Sequence, residues 1–156
     1  MSAPTGDAGI YARESDYLER YVQLGEAGER IISVSFPTQP DADAGADHPL
    51  LDRIDDYLTG NGDDFTDVAV GLTVPTDQRK VLEAVRQIPY GENASVETVA
   101  SMTPDLSAEE MDDQNLVREA LDANPVPLLI PDHRVRDGPS GAPPAVEQKL
   151  RIVEGL

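Results

Sequence analysis

The tract Pro131-Asp132-His133-Arg134-Val135 sets a carboxylate, an imidazole and a guanidinium side by side, straight after the apolar run 126–130. Three uses of such a trio follow from its chemistry. Asp132 could attack an electrophilic carbon, as carboxylate nucleophiles do, though far less readily than a thiolate. It could make a polar contact to a ligand. Or it could pair with His133 or Arg134 and only hold structure. A thiol is ruled out, because the chain has no cysteine and hence no thiol nucleophile, disulfide or thiolate zinc site. The only histidines, His48 and His133, are too few for a histidine metal cage. Neither a metal nor a cofactor is expected.

These side chains need a frame. A chain of 156 residues suits one domain or two small ones. Residues 1–9 are small and polar and are expected to fray. β-Branched and aromatic runs at 17–24 and 30–36, around Gly25-Glu26-Ala27-Gly28, predict a β-hairpin. Residues 37–47 read as a loop. Leu50, Leu51, Ile54 and Leu58 recur at helical spacing over 49–58. Val68, Val70, Leu72 and Val74 alternate and predict a strand. Residues 10–75 thus read as a small α+β unit. From 76 onward the pattern turns helical. Thr76 is placed to cap a helix with Val81, Leu82, Val85 and Ile88 on one face, stopping at Pro89-Tyr90-Gly91. Ser95 is placed to cap a short helix over 96–102. Ser107 and Glu110 have capping-box spacing and open a third, carrying Met111, Leu116, Val117, Ala120 and Leu121. Residues 145–154 form the last, with Val146, Leu150 and Val153 on one side. Three helices and a short β-like wing make a helix-turn-helix pattern.

Thr76-Asp77-Gln78, Ile88-Pro89-Tyr90-Gly91, Ser95, Asn124-Pro125-Val126-Pro127 and Pro131-Asp132-His133-Arg134-Val135 stand in a family's order and approximate spacing. By these motifs the chain resembles the alkylguanine–DNA alkyltransferases, strongly over 76–156 and more weakly over 8–75. The resemblance implies an α+β fold: a small RNase H-like N-terminal domain over 10–75, then a helix-turn-helix, winged-helix-like alkyltransferase domain over 76–156. In that family a cysteine between the Pro and the His takes an alkyl group from a flipped guanine. The His, through a water and a distant Glu, draws off the thiol proton. Asp132 holds that acceptor position here. His133 and Glu154 match the relay, and Asn124 matches the hinge asparagine. No catalytic residue is expected. His133 and Glu154 either form an acid–base relay or only hold the last helix onto the motif. The resemblance also implies a DNA face at Ser95, Asn115, Arg118 and Arg134, and a substrate pocket at Tyr90, Val96, Asp132 and Val135. Ser95 serves equally well as a plain helix cap. Asn115 stands where the family carries an Arg that fills the hole left by the flipped base. Val96 replaces a Tyr, and the loop 136–144 lacks the family's Tyr-Ser-Gly-Gly stretch. Alkyltransferase-like proteins, which replace the cysteine and bind alkylated DNA without repairing it, are similar in their loss of the thiol.

Thirty acids against twelve Lys and Arg give a net charge of −18, and only Lys80 and Lys149 are lysines. The acids are spread along the whole chain. That fits the solvated acidic surface of an ordinary protein, and more closely a protein of the haloarchaeal kind, working in molar salt, where the Debye length is only ~3 Å and self-repulsion is screened. Residues 76–156 hold 8 bases and 15 acids, and residues 1–75 hold 4 and 15. The half expected at DNA is therefore less acidic without being basic. Arg79, Lys80, Arg86, Arg118, Arg134, Arg136 and Arg151 either line a DNA face or disperse into salt bridges. No apolar run reaches the ~20 residues of a membrane span, and no basic-then-apolar leader opens the chain. A cytoplasmic monomer without membrane contact is expected. The expected function is that of a non-catalytic family member bound to double-stranded DNA, alkylated DNA included, in alkylation-damage recognition or repair. The alternative is a protein-interaction or regulatory module with a protein partner and no DNA binding, motivated by the acidic stretch Glu109-Glu110-Met111-Asp112-Asp113. A remoter one is an enzyme using Asp132 as alkyl acceptor.

Overall fold

Strands β1 (Gly9–Ser15), β2 (Arg20–Ala27) and β3 (Arg30–Ser35) form an antiparallel sheet in the order β1-β2-β3. The structure, a computed structural model, describes residues 9–156. The frayed start expected for 1–9 lies outside them except for Gly9, which opens β1. The expected hairpin shifts in register. Gly25, Glu26 and Ala27 stay in β2, and the turn is Gly28-Glu29, with φ of 58° and 65°. Two successive left-handed residues give the twist that a two-residue hairpin needs. Gly25 is glycine for another reason: a Cβ there would lie 2.4 Å from Ser33 Oγ. β1 escaped the sequence reading because its inward residues are the small Ala12 and Ser15, which leave no apolar alternation.

Both sheet edges are covered. Along β1, Ala12 N donates to Gly45 O and Gly45 N to Ile10 O, each at 2.8 Å. Along β3, Ile31 N donates to Ala69 O, Gly71 N to Ile31 O and Val34 N to Pro125 O, each at 2.9 Å. The segment 68–74 was expected as a strand and is not one. It pairs with β3 only at Ile31↔Val70. Two of its neighbouring carbonyls, Phe65 O and Val68 O, accept from Arg86 Nη2 at 2.8 and 2.6 Å instead of entering a ladder.

Five helices follow the sheet. In α1 (Pro49–Leu58), His48 Nδ1 accepts from Leu50 N at 3.1 Å, which caps the helix. Its buried face is Leu50, Leu51, Ile54, Tyr57 and Leu58. α2 (Thr76–Val85) buries Val81, Leu82, Ala84 and Val85. Thr76 is its first helical residue and not its cap; Pro75 sits at the cap and has no side chain to donate or accept. α3 (Val96–Met102) is capped by Ser95 Oγ, which accepts from Thr98 N at 3.1 Å. α4 (Met111–Asp122) starts a turn later than its expected capping box. Ser107 N is drawn off to Asp113 Oδ2 at 2.8 Å, and Glu110 is the cap. Met111 is 62 % exposed and lies outside the core, which α4 enters through Val117, Ala120 and Leu121. A 3₁₀ turn (Asp132–Arg134) and α5 (Pro144–Glu154) complete the chain.

α2, α3 and α4 pack on one another, and α5 packs on α1 and the 3₁₀ turn. The tract 126–130 is buried between them. One apolar cluster runs from Leu18 and Leu24 in the sheet, through Ile54 and Phe65, to Leu82, Leu121 and Leu150. Cutting Leu82, which is fully buried, back to Ala should cost about 2–5 kcal/mol in urea unfolding at fixed KCl. The same truncation at Met111 should stay within about 0.5 kcal/mol; a large loss there would put Met111 in the core after all.

Candidate functional site

Four elements meet at the Glu154 carboxylate near the end of α5. Oε2 accepts from the Tyr57 hydroxyl of α1, from His133 Nε2 at 2.5 Å and from Arg134 Nη2 at 3.1 Å. Oε1 accepts from Arg134 Nε at 2.7 Å and from Gly91 N at 3.0 Å. Burial alone would raise the Glu154 pKa. The hydrogen bonds from His133 and Arg134 outweigh it and hold the carboxyl at about 2. Tyr57 moves the other way, pushed well above the ordinary phenol range by burial and by the adjacent carboxylate. Tyr57 O and His133 Nε2 are 3.4 Å apart. Since both direct their protons to Glu154, no useful bond joins them. His133 Nδ1 is buried and has no hydrogen-bonding partner among the described residues.

Asp132 is fully buried beside this cluster and is held quite differently. Its Oδ1 accepts from Ser140 Oγ at 2.6 Å, and Oδ2 from Asn124 Nδ2 at 2.9 Å and Gly141 N at 2.8 Å. The expected pairing with His133 or Arg134 is absent, because both of those side chains are committed to Glu154. Burial raises the Asp132 pKa, and its three neutral donors only partly oppose that. Each donor is itself fixed. Asn124 Nδ2 also donates to Ile130 O, and its Oδ1 accepts from Val126 N. Ser140 Oγ accepts from Ala142 N at 3.0 Å. A Cβ on Gly141 would come within 2.3 Å of Asn124 O, so the loop approaches that strand of chain as only glycine permits. Further back in the same loop, Asp137 Oδ1 accepts from Val96 N at 2.7 Å, at the first turn of α3. The loop 136–143 is thus fastened down at both ends.

The expected substrate-pocket residues are mostly closed off from solvent. Val96, Asp132 and Val135 are fully buried, and Tyr90 is half-buried with its ring over the Arg134 guanidinium at 5.8 Å. The expected DNA-face residues divide. Ser95 spends its hydroxyl on the α3 cap. Asn115 is exposed on α4, and Arg118 beside it is half-buried, its Nη1 3.4 Å from Asn115 Oδ1. Arg134 does not belong to a surface at all. It is 2 % exposed, and its remaining Nη1 donates to Ile88 O at 2.6 Å. The exposed stripe of α4 around Asn115 carries Asp112, Glu119 and Asp122. Among the described residues no cluster of three or more His, Cys, Asp or Glu could hold a metal ion, and no helix is long and apolar enough to cross a membrane.

Tyr57, Ser140, Gly141 and Asp137 were not singled out by sequence reasoning. Tyr57 sits on the apolar face of α1, 97 residues from its partner, and nothing local marks it. Ser140-Gly141 had a signal, a small hydroxyl followed by glycine in a loop that must turn tightly.

Residues 76–152 match a family described as 6-O-methylguanine DNA methyltransferase, DNA binding domain. A methylated-DNA–protein-cysteine methyltransferase of Methanopyrus kandleri is 35% identical over 109 residues, covering 69% of this chain and 78% of that protein. Another, from Metallosphaera sedula, is 30% identical over 107 residues, 67% of this chain and 64% of that protein. The crystal structure of Mycobacterium tuberculosis OGT in complex with DNA superposes with a TM-score of 0.73 at 22% identity, over 94% of this chain and 93% of that one. At that identity the likeness is one of fold.

The two carboxylates should respond oppositely to substitution. Asp132→Asn can turn its oxygen to Asn124 and Gly141 and its amide to Ser140, so it should change stability by less than about 1 kcal/mol. Asp132→Ala takes the acceptor from three donors, Asn124, Ser140 and Gly141, should cost about 2–4 kcal/mol, and should speed amide hydrogen exchange in the loop 136–143. Equal effects of Asn and Ala would mean that the hydrogen bonds do not hold the loop. Glu154 has its pKa depressed on folding. Its contribution to stability is therefore present above its unfolded value of 4.5 and is lost as pH falls toward about 2. Urea titrations of the parent between those limits should show this loss, and Glu154→Gln should flatten it.

Proposed function

Because the chain belongs to the methylated-DNA–protein-cysteine methyltransferase family, we propose that it is a non-catalytic member that acts at double-stranded DNA, recognising alkylation damage without reversing it. The observation that carries this reading is the state of Asp132. At the acceptor position of the family stands a carboxylate whose two oxygens take three hydrogen bonds at zero exposure. Attack on an alkyl carbon needs a lone pair aimed at that carbon. It also needs a far better nucleophile than a carboxylate carrying three donors. Asp132 therefore serves as the clasp that holds the loop 136–143, and the reading of Asp132 as alkyl acceptor loses its support.

In this proposal residues 10–75 form the RNase H-like part and residues 76–156 the helix-turn-helix, winged-helix-like part. α4 is the recognition helix, Asn115 the side chain offered to the duplex, and Ser95 a backbone contact. The acids on α4 would repel a phosphate backbone in dilute buffer. In molar salt their field reaches only ~3 Å, so a contact made by insertion of α4 is not opposed from a distance. The protein acts as a monomer in the cytoplasm.

The same stripe, Asp112, Glu119 and Asp122 with Glu109 and Glu110 before it, favours a second reading: a protein-interaction module on this fold with no DNA role. One titration separates the two. A labelled duplex with or without a single O6-alkylguanine is titrated in KCl from about 0.2 to 3 M, spanning the screening range. Tighter binding to the lesion is expected. Equal affinity for both duplexes removes the damage-recognition role, and no binding by the folded protein at any salt shifts the assignment to the protein-interaction module. Intact-mass measurement after incubation with alkylguanine DNA should show no added alkyl group; an adduct mapped to Asp132 would make the protein an enzyme.

A further inference from the structure

Three arginines meet in one cleft beside α2, whose lining also includes Ile130. Arg30 opens β3, Arg79 and Glu83 lie on one face of α2, and Arg86 caps its C-terminus. They surround a cleft of about 200 Å³ with Val70 and Leu72 as apolar wall. In a chain of net charge −18, with ten arginines among its twelve bases, this concentration needs a cause.

Neutralisation by neighbouring acids does not supply one. Among the described residues Arg30, Arg79 and Arg86 make no ion pair, whereas Arg13, Arg53 and Arg134 each bind carboxylates. Asp67, the acid whose charge reaches Arg86, is already held by Arg53, which donates to its two oxygens at 3.0 and 2.8 Å. Among the described residues Glu83 is the only carboxylate lining the cleft, so three positive charges face one negative. Arg86 is also locked in place. Its Nη2 donates to Phe65 O and Val68 O. Its Nε is buried and has no acceptor among the described residues, which is costly for a charged donor. Burial lowers its pKa from the usual arginine value, and the charge of Asp67 only partly opposes that.

We propose that this cleft between β3, the segment 68–72 and α2 is a binding site for a phosphate-class oxyanion. Planar guanidinium forks match tetrahedral oxyanions through paired hydrogen bonds. The volume admits one such group, with Val70 and Leu72 packing against whatever it is esterified to. Glu83 accepts the proton of a P–OH, which favours a hydrogen phosphate or a monoester bearing that proton. The site is independent of the DNA reading of α4, since it uses none of Ser95, Asn115 or Arg118.

The test uses the full chain in KCl buffer at constant ionic strength. Inorganic phosphate, adenosine monophosphate and a short plain duplex are each titrated by calorimetry, and the arginine Nε resonances of ¹⁵N-labelled protein are followed in parallel. One phosphate per chain is expected, with a shift of the Arg86 Nε signal. Arg30→Gln and Arg79→Gln, both at exposed positions, should each weaken binding roughly tenfold or more, the size of one charge-assisted hydrogen bond. Tighter binding of the monophosphate than of inorganic phosphate identifies a nucleotide-like monoester. A duplex that displaces phosphate identifies the DNA backbone as the source of the anion. A response to phosphate no larger than to chloride, or unchanged affinity in both variants, overturns the proposal.

Discussion

A charge without water around it has to be repaid by the protein, and in this molecule that charge belongs to Glu154. Five donors from three separate stretches of chain converge on one carboxylate: Tyr57 in α1, Gly91 after α2, and His133 and Arg134 in the 3₁₀ turn, the last giving two. Such a buried pair adds little net stability compared with well-packed apolar side chains, because desolvation cancels most of the attraction. Its value here is geometric. The five bonds tie α1, α5 and the 3₁₀ turn to one another through a single carboxylate. The register of the last helix against the motif is therefore set by hydrogen-bond direction, which apolar packing cannot do.

Asp132 lies next to that cluster under the opposite electrostatics. Both carboxylates are buried, yet one is lowered and the other raised. The difference is the charge of the donors. Glu154 faces a guanidinium, while Asp132 faces a hydroxyl, an amide and a backbone N–H. The protein has kept its strongest electrostatic compensation for the residue that joins elements, and has given the residue at the centre of the motif only enough to stay where it is. A loop that is merely stitched to a carboxylate can still open; helices that share a compensated charge cannot separate without exposing it.

Much of this was legible in the sequence because the signals were local. α1 and α5 follow from apolar spacing, and α3 from Ser95 immediately before a helical pattern. The meeting of His133 with Glu154 was open to the sequence only through the resemblance of the motif. What stayed hidden depended on distance or on small side chains. β1 buries Ala12 and Ser15, which no periodicity reveals. The segment 68–74 has the alternation of a strand but gives its nearby carbonyls to Arg86, a competition visible only in three dimensions. Arg134 looked like a surface base, because a motif shows neighbours in sequence and not the carboxylate 20 residues later that takes the guanidinium inside. Tyr57 was invisible for the same reason.

The sheet has a consequence for how copies of the molecule behave together. A three-stranded sheet ordinarily offers two free edges, each a template for another chain. Here β1 exchanges hydrogen bonds with Gly45, and β3 is occupied at Ile31 by residues 69–71 and at Val34 by Pro125. The protection is steric and built of backbone, so it does not depend on like-charge repulsion. That distinction matters for a surface so acidic. Concentrated salt shortens the reach of charge to about a bond length or two and would remove the barrier that most acidic proteins rely on to stay apart. Strand edges already paired with the protein's own loops remain closed at any ionic strength.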